Sequence, residues 1–556
     1  MYEALLKATP EYQKIAASLA SPGPAALFGL PPAGRALLYA ALFKDLGRVL
    51  CIVTPGEAEA TRLAEDLHAL GLNTAVFPPR DLMLRPVEGA GREYEYRRLS
   101  VLGQLAGGRL QAVCAPAEAL LQYTVPRQDF LTNTLTLKPG TVYNREQLIA
   151  RLFAAGYVRR SQVDGPGQFS VRGDILDVYP PDMRQPARIE YWDDEIDSIS
   201  TFDLLTQRRD SPLEKIHLSP AREVLFGDTA QTAEALREAQ KNARGKRRTA
   251  LEQAMAADLA QLDAGQMPEA MDKYYGLRYP APATLLEHLD SPVLVLDEVG
   301  GIRDAQKATE YRRGEEITGL LEEGVLCPGL DVFYQTMTDL SLAAQQHSTL
   351  LCENFLRGMN EFRLKDLINA DAHSAPNWAG DLASLHEDLD PLLAQGYAVA
   401  LFAGTPKGAA ALTRDLADKG YAVSMSRDVR PTKGLVQVLP GHLHGGCTFP
   451  FAHAAVLSSR RHGTEEGAAE AKKRKKNKNA LSSLSDIRPG DYVVHQNNGI
   501  GMYAGIQRLE VQGATKDYLK IQYAGADVLY VPVTQLDLLS RYTAPGDESK
   551  VKLAKL

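Results

Sequence analysis

Cysteine is scarce and scattered. The five residues Cys51, Cys114, Cys327, Cys352 and Cys447 are odd in number and never spaced C-x-x-C. That excludes a disulfide framework and a zinc ribbon and points to a reducing, cytoplasmic setting. Long apolar runs are also missing: MYEALLKATPEYQKIAASLA is interrupted by Glu, Lys and Gln, so no secretory leader, membrane span or membrane partner is expected. Neither sign of charge dominates, since 62 Lys+Arg against 69 Asp+Glu leave −7, and any contact with nucleic acid has to be local. What remains is ordinary globular material, 45% apolar and 24% charged, which excludes a disordered or fibrous chain. A length of 556 residues implies roughly three to five domains.

Residues 25–116 alternate apolar runs with helical stretches: AALFGL, RALLYAALFKDLG, RVLCIVT, EAEATRLAEDLHALG, TAVFP and QAVCAP. In the second helix Ala60, Leu63, Ala64, Leu67 and Leu70 form one stripe, and the strands are too apolar to face water, so a helix-covered parallel sheet is predicted. From about residue 140 the period becomes two, in QFSVRGDILDVYP, ARIEYWDDE and IDSISTF, as in a small antiparallel module. PVLVLDEV at 292–299 then supplies a buried strand that returns to the first sheet. The reading is a discontinuous domain over 1–125 and 214–345 with a module inserted at 126–213, followed by a second α/β domain at 346–465. Six cations between Lys472 and Lys478 mark a basic linker at 466–485, read as a solvated tether. Over 486–556, short strands with Leu519, Ile521 and Tyr523 alternating against Tyr518, Lys520 and Gln522 suggest a small barrel.

Residues Gly29-Leu30-Pro31-Pro32-Ala33-Gly34-Arg35-Ala36 keep the G-x-x-x-x-G spacing of a phosphate loop between a strand and a helix. The chemistry is missing. Pro31 and Pro32 remove two amide donors, Arg35 replaces the compact lysine ammonium, and Ala36 offers no oxygen to Mg²⁺. Asp297-Glu298, at the end of the later strand, would suit a metal-holding acid followed by a water-activating one, but without Ser or Thr at position 36 plain strand-end acids are the favoured reading; taken together, the loop and the acids read as the remains of a nucleotide pocket. His442, His444 and Cys447 spell H-x-H-x-x-C without a nearby fourth ligand, so no metal is assigned. No nucleophile or paired-carboxylate arrangement stands out, which favours a binding protein.

Two segments carry a resemblance. GYVRRSQVDGPGQFSVRGDILDVYPPDMRQPARIEYWDDEIDSISTFDLLTQR resembles the second domain of the bacterial transcription-repair coupling factor (Mfd) family, whose N-terminal part is similar to UvrB. SDIRPGDYVVHQNNGIGMYAGIQRLEVQGATKDYLKIQYAGADVLYVPVTQLDLLSRY resembles its CarD-like, Tudor-like RNA-polymerase-interacting domain. The implied fold is α/β multidomain: a UvrB-like degenerate P-loop/RecA-like parallel sheet with an inserted α+β module, a second α/β domain and a C-terminal Tudor/SH3-like β-barrel. UvrB itself carries Gly-Lys-Thr where this chain has Gly34-Arg35-Ala36, and it lacks the terminal barrel. Its Tyr-rich DNA-gripping hairpin has no counterpart between residues 78 and 110, although Tyr94 and Tyr96 are present.

The resemblance implies an adaptor. Its UvrA-binding positions match Arg172, Arg188 and Trp192, and its apolar contact with the polymerase β subunit matches Leu509 on a strand edge. From the residues alone, Arg188 pairing with Asp177 or Glu190 and a core Trp192 or Leu509 stay open. Family members continue into a DNA translocase, so the chain is expected to be an N-terminal portion without a reaction of its own. No cofactor is expected in it, ATP and Mg²⁺ belonging to the motor, and its DNA contact is expected to be weak or absent. The rival readings are an active UvrB-type P-loop ATPase or helicase and a CarD-like transcription regulator.

Overall fold

The structure is a computed structural model that describes residues 6–7, 9–86, 91–354, 359, 361–375, 382–425, 432–459, 490–495, 499–511, 514–524, 527–532 and 539–541. The chain divides into a unit spanning Met1–Arg460 and a smaller one spanning Arg461–Leu556. The larger unit is built on a seven-stranded parallel sheet in the order Asp366–Asn369, Gly23–Phe28, Ser348–Glu353, Val293–Asp297, Leu50–Thr54, Ala112–Pro116, Thr74–Val76. Its central strands are buried throughout because helices cover both faces. Ala25 and Leu27 enter one apolar layer while Ala26 and Phe28 enter the other.

The helices Pro32–Leu46 and Glu57–Ala69 lie between this sheet and a second, six-stranded one, in the order His373–Ala375, Gly446–Phe449, Ala454–Ser458, Ala398–Phe402, Leu435–Leu439, Ala422–Ser424. A helix between two sheets has no solvent face, which is why RALLYAALF carries no polar stripe. Pro32 starts that helix and Gly47, at φ 62°, ends it in the left-handed conformation, donating to Phe43 O at 2.8 Å. The first sheet reaches Asn369, past the boundary at 345 read from the sequence, and the second begins at His373. Ser348–Glu353 inserts between Gly23–Phe28 and Val293–Asp297, a neighbourhood set by chain crossover and invisible in local pattern.

The inserted module is a six-stranded sheet, Arg209–Pro212, Glu195–Phe202, Ala187–Trp192, Ile175–Tyr179, Gln168–Arg172, Val158–Arg159, antiparallel except for the last pair. One face packs its own core. An antiparallel ribbon of Leu135–Leu137 with Ile216–Leu218 closes the module where the chain enters and leaves it, five residues beyond Leu213 by the numbering.

Next to the module's entry, His288 is 7% exposed and donates from Nε2 to Val125 O at 2.8 Å, with the Phe130 ring at 6.0 Å. Burial pulls its pKa down to about 4, against the opposing pull of that bond and of Glu287. A histidine whose folded pKa lies below its unfolded one contributes stability that is present above about pH 6.5 and is lost as the pH falls to about 4, a change of about 3 kcal/mol. Denaturant unfolding of the parent and His288→Asn across that range is expected to show this slope in the parent alone.

In the smaller unit the described strands form one antiparallel sheet, Val528–Pro532, Ala514–Gln522, Gly499–Val511, Tyr492–His495, Leu539–Arg541. Leu519, Ile521 and Tyr523 fill its core beside Val493, Tyr503 and Val531. Gly501 is required there, since a Cβ at that position would lie 2.4 Å from Ile521 Cγ2. No helix among the described residues is long and apolar enough to cross a membrane.

Candidate functional site

The strand Gly23–Phe28 delivers the chain to Gly29, at φ 77°, where a side chain would meet Ala370 O. From Leu30 to Leu42 only Pro32 is exposed. Arg35 is 2% exposed and spans the end of the sheet: Nη1 donates to Asp297 Oδ1 at 2.6 Å and Nη2 to Glu298 Oε1 at 2.6 Å. Tyr39, one turn further along the helix, donates to Asp297 Oδ2 at 2.9 Å, and Asn354 Nδ2 donates to Glu298 Oε1 at 2.6 Å. Burial alone would depress the Arg35 pKa; Asp297 first, then Tyr39 and Glu298, outweigh it and hold the guanidinium above its ordinary value. Arg35, at the loop position where a phosphate-binding lysine would stand, thus pairs with both Asp297 and Glu298.

Gly34 has a packing role in this fold. A Cβ there would lie 2.7 Å from Leu30 Cδ1 and 3.0 Å from Cys447 Sγ, so the glycine admits the second sheet against the helix. Ala36 is fully buried. The neighbouring H-x-H-x-x-C motif does not converge. His444 takes hold of the helix Glu57–Ala69 through Asp66 Oδ1 at 2.8 Å and Glu65 Oε2 at 3.3 Å, His442 Nδ1 lies 3.1 Å from Ser459 Oγ, and Cys447 faces Gly34. Among the described residues no group of three or more His, Cys, Asp or Glu side chains is disposed to hold a metal ion.

The candidate residues of the module share its other face. Ala187, Ile189 and Tyr191 enter the core, so the alternating Arg188, Glu190 and Trp192 point away from it. Asp177, 1% exposed, sits at the centre, accepting Arg188 Nε at 2.7 Å, Arg188 Nη2 at 3.0 Å and Arg172 Nη2 at 3.2 Å. Arg188 also lies over the Phe202 ring, 4.7 Å from its centroid. Its pairing therefore chooses Asp177, while Glu190 takes Ser198 Oγ and Arg209. Bonding to Asp177 raises the Arg188 pKa. Arg172 keeps a half-exposed head, and Trp192 is 80% exposed and no core residue. Tyr94 and Tyr96 lie on the helix Glu93–Ala106, where Tyr96 closes on Gly167 of the module.

Leu509 falls on the strand Gly499–Val511, in register with Lys516, and its side chain lies outside the described residues, as does the Lys472–Lys478 run. On the other side of that strand, pairing with Tyr492–His495 stops at Met502. Among the described residues the stretch holding Leu509 thus has one paired edge and one open one. Tyr39 and Asn354 were absent from the sequence reading; Tyr39 carried a signal, standing one helical turn after Arg35.

Residues 135–224 match the UvrB interaction domain family, and residues 487–543 match the CarD-like/TRCF RID domain family. The transcription-repair-coupling factor of Bacillus subtilis (strain 168) is 30% identical over 549 residues, covering 95% of this chain and 46% of that protein. Over nearly its whole length the chain is thus similar to transcription-repair-coupling factors. Similar relatives of that name occur in Staphylococcus aureus (strain Mu50 / ATCC 700699), 24% identical over 545 residues, with 95% and 46% coverage, and in Staphylococcus epidermidis (strain ATCC 35984), 25% identical over 534 residues, with 94% and 45% coverage. The chain spans about half the length of the curated coupling factors it matches.

Proposed function

We propose that this chain is the recruiting part of a transcription-repair coupling factor and carries no nucleotide chemistry of its own. In this reading the outward face of the inserted module captures UvrA through Arg172, Arg188 and Trp192. The C-terminal sheet, taken as a Tudor-like barrel, binds the RNA polymerase β subunit through the strand bearing Leu509, at the edge left unpaired among the described residues. Coupling stalled polymerase to excision repair, and ATP-driven movement on DNA, are the work of the longer protein. One observation supports this most: Arg35 spends its charge on Asp297 and Glu298, whereas Trp192 stands 80% exposed on a face already organised around Asp177. An ATPase needs those charges for a triphosphate and Mg²⁺, and a transcription regulator has no use for the module.

Capture assays with purified UvrA and RNA polymerase test both arms. Trp192→Ala, at a side chain the fold does not bury, is expected to weaken UvrA binding about 30-fold and leave polymerase capture intact. Leu509→Arg is expected to do the reverse. Unchanged capture by either variant removes that residue from its interface, and hydrolysis of ATP lost on Arg35→Ala would restore the ATPase reading.

A further inference from the structure

Of the four most exposed large apolar side chains among the described residues, Leu205 (94%), Trp192 (80%), Val142 (72%) and Tyr311 (70%), three belong to the inserted module. A scatter of single exposed apolar groups is normal on any surface. Three on one small module, around a face already rich in arginine, are not a scatter.

Their placement connects them. Glu195 pairs with Trp192 on one side and, through an isolated antiparallel bridge, with Val142 on the other. Directly opposed residues project to the same side of a sheet, so Val142, Glu195 and Trp192 form one row on the face that also carries Arg188 and Glu190. Leu205 lies beyond the opposite end of these strands, in the turn after Phe202. That turn is stiff. Asp203 Oδ1 accepts from Leu205 N at 3.2 Å, Thr206 N at 2.8 Å and Thr206 Oγ1 at 2.9 Å, bonds that hold its carboxyl below the ordinary range. Gln207, at φ 59°, closes the turn with its N–H on Asp203 O at 2.8 Å and its side chain on Leu204 O at 2.8 Å. Arg188 Nη1 then reaches Gln207 O at 3.3 Å, tying the turn to the central Asp177 cluster.

We propose that Leu205 and Val142 are further anchors of the partner-binding face, extending it past Arg188 and Trp192 at both ends. This rests on the UvrA reading above. Ordering a flexible leucine costs affinity on binding, and a turn held by this many internal bonds has met that cost beforehand. The partner surface that fits has two apolar sockets, one for Leu205 and one for the Val142–Trp192 pair, with carboxylates between them to meet the half-exposed Arg172.

Equilibrium binding of UvrA to the full chain decides it. Leu205→Ser is expected to weaken binding about ten-fold, Leu205→Glu about 30-fold and Val142→Ser about three-fold, with unfolding midpoints unmoved. Asp203→Ala, which keeps the leucine and loosens its turn, is expected to weaken binding about three-fold, and Asp203→Asn, which keeps the acceptor, to restore it. Trp192→Ala in parallel reports on the underlying reading. Weakening at Trp192 together with full affinity for Leu205→Glu and Val142→Ser overturns the extension and leaves the adaptor. A parent chain without UvrA affinity overturns both.

Discussion

Arg35→Ala is expected to lower the unfolding free energy by about 3–5 kcal/mol, because removing one partner of a buried ion pair strands the other. Asp297 would keep only the Tyr39 hydroxyl, in a position where burial already raises its pKa and Arg35 is the main group opposing that rise. An acid whose folded pKa lies above its unfolded one is stabilised by protonation. The deficit of Arg35→Ala is therefore expected to shrink as the pH is lowered towards the carboxylate range, which denaturant titrations at several pH values would read directly. ATP with Mg²⁺ is expected to shift the midpoint of neither protein, since a ligand that binds only the folded state must raise it. Arg35→Lys combined with Ala36→Thr restores the letters of a phosphate loop yet is expected to gain no hydrolysis. Pro31 and Pro32 still lack their amides, and Leu30 and Cys447 still close on Gly34. A midpoint raised by nucleotide in the double variant would show that the cradle is open after all.

The loop also marks what local sequence carries and what it does not. Strand, turn and helix around Gly29–Ala36 were readable because apolar runs and proline act over a few residues, and so was the Val293–Asp297 strand. Leu519, Ile521 and Tyr523 were readable as one face because strand alternation is strict. That Asp297 and Glu298 belong with the loop was readable too; that Arg35 pairs with both was not, since a side-chain contact so distant in sequence depends on how the strands cross over. Gly34 kept phosphate-loop spacing for another reason, the approach of Cys447 from the second sheet. ARIEYW gave two faces without saying which was inside; Ile189 and Tyr191 turned inward and left Trp192 in solvent. The edge of the first sheet at Asp366–Asn369 was missed for the same non-local reason as Arg35.

Glu223→Gln is expected to cost about 3–5 kcal/mol, at a place where the sequence shows no motif. Glu223 is fully buried on the segment returning from the module, and its carboxylate accepts Arg98 Nε at 2.6 Å and Arg98 Nη2 at 3.3 Å while lying 3.4 Å from Arg80 Nε. Arg98 is itself fully buried over Phe77, and burial pulls its pKa down against the attraction of Glu223. Arg80 turns its other nitrogens to Asp272, at 2.6 and 3.1 Å, and Glu95 closes the cluster by accepting Glu223 N at 2.9 Å. Neutralising Glu223 leaves Arg98 without its carboxylate partner in a site closed to water, while Arg80 keeps Asp272, and the amide cannot return the charge. Replacing Glu223 and Arg98 together by Leu and Met removes both charges, and is expected to recover most of the loss, which separates a missing charge from a missing shape. Chemical denaturation of the three proteins measures this. A Glu223→Gln midpoint within about 1 kcal/mol of the parent would mean that apolar packing alone holds the module's return segment to the sheet domain, and that the cluster is incidental.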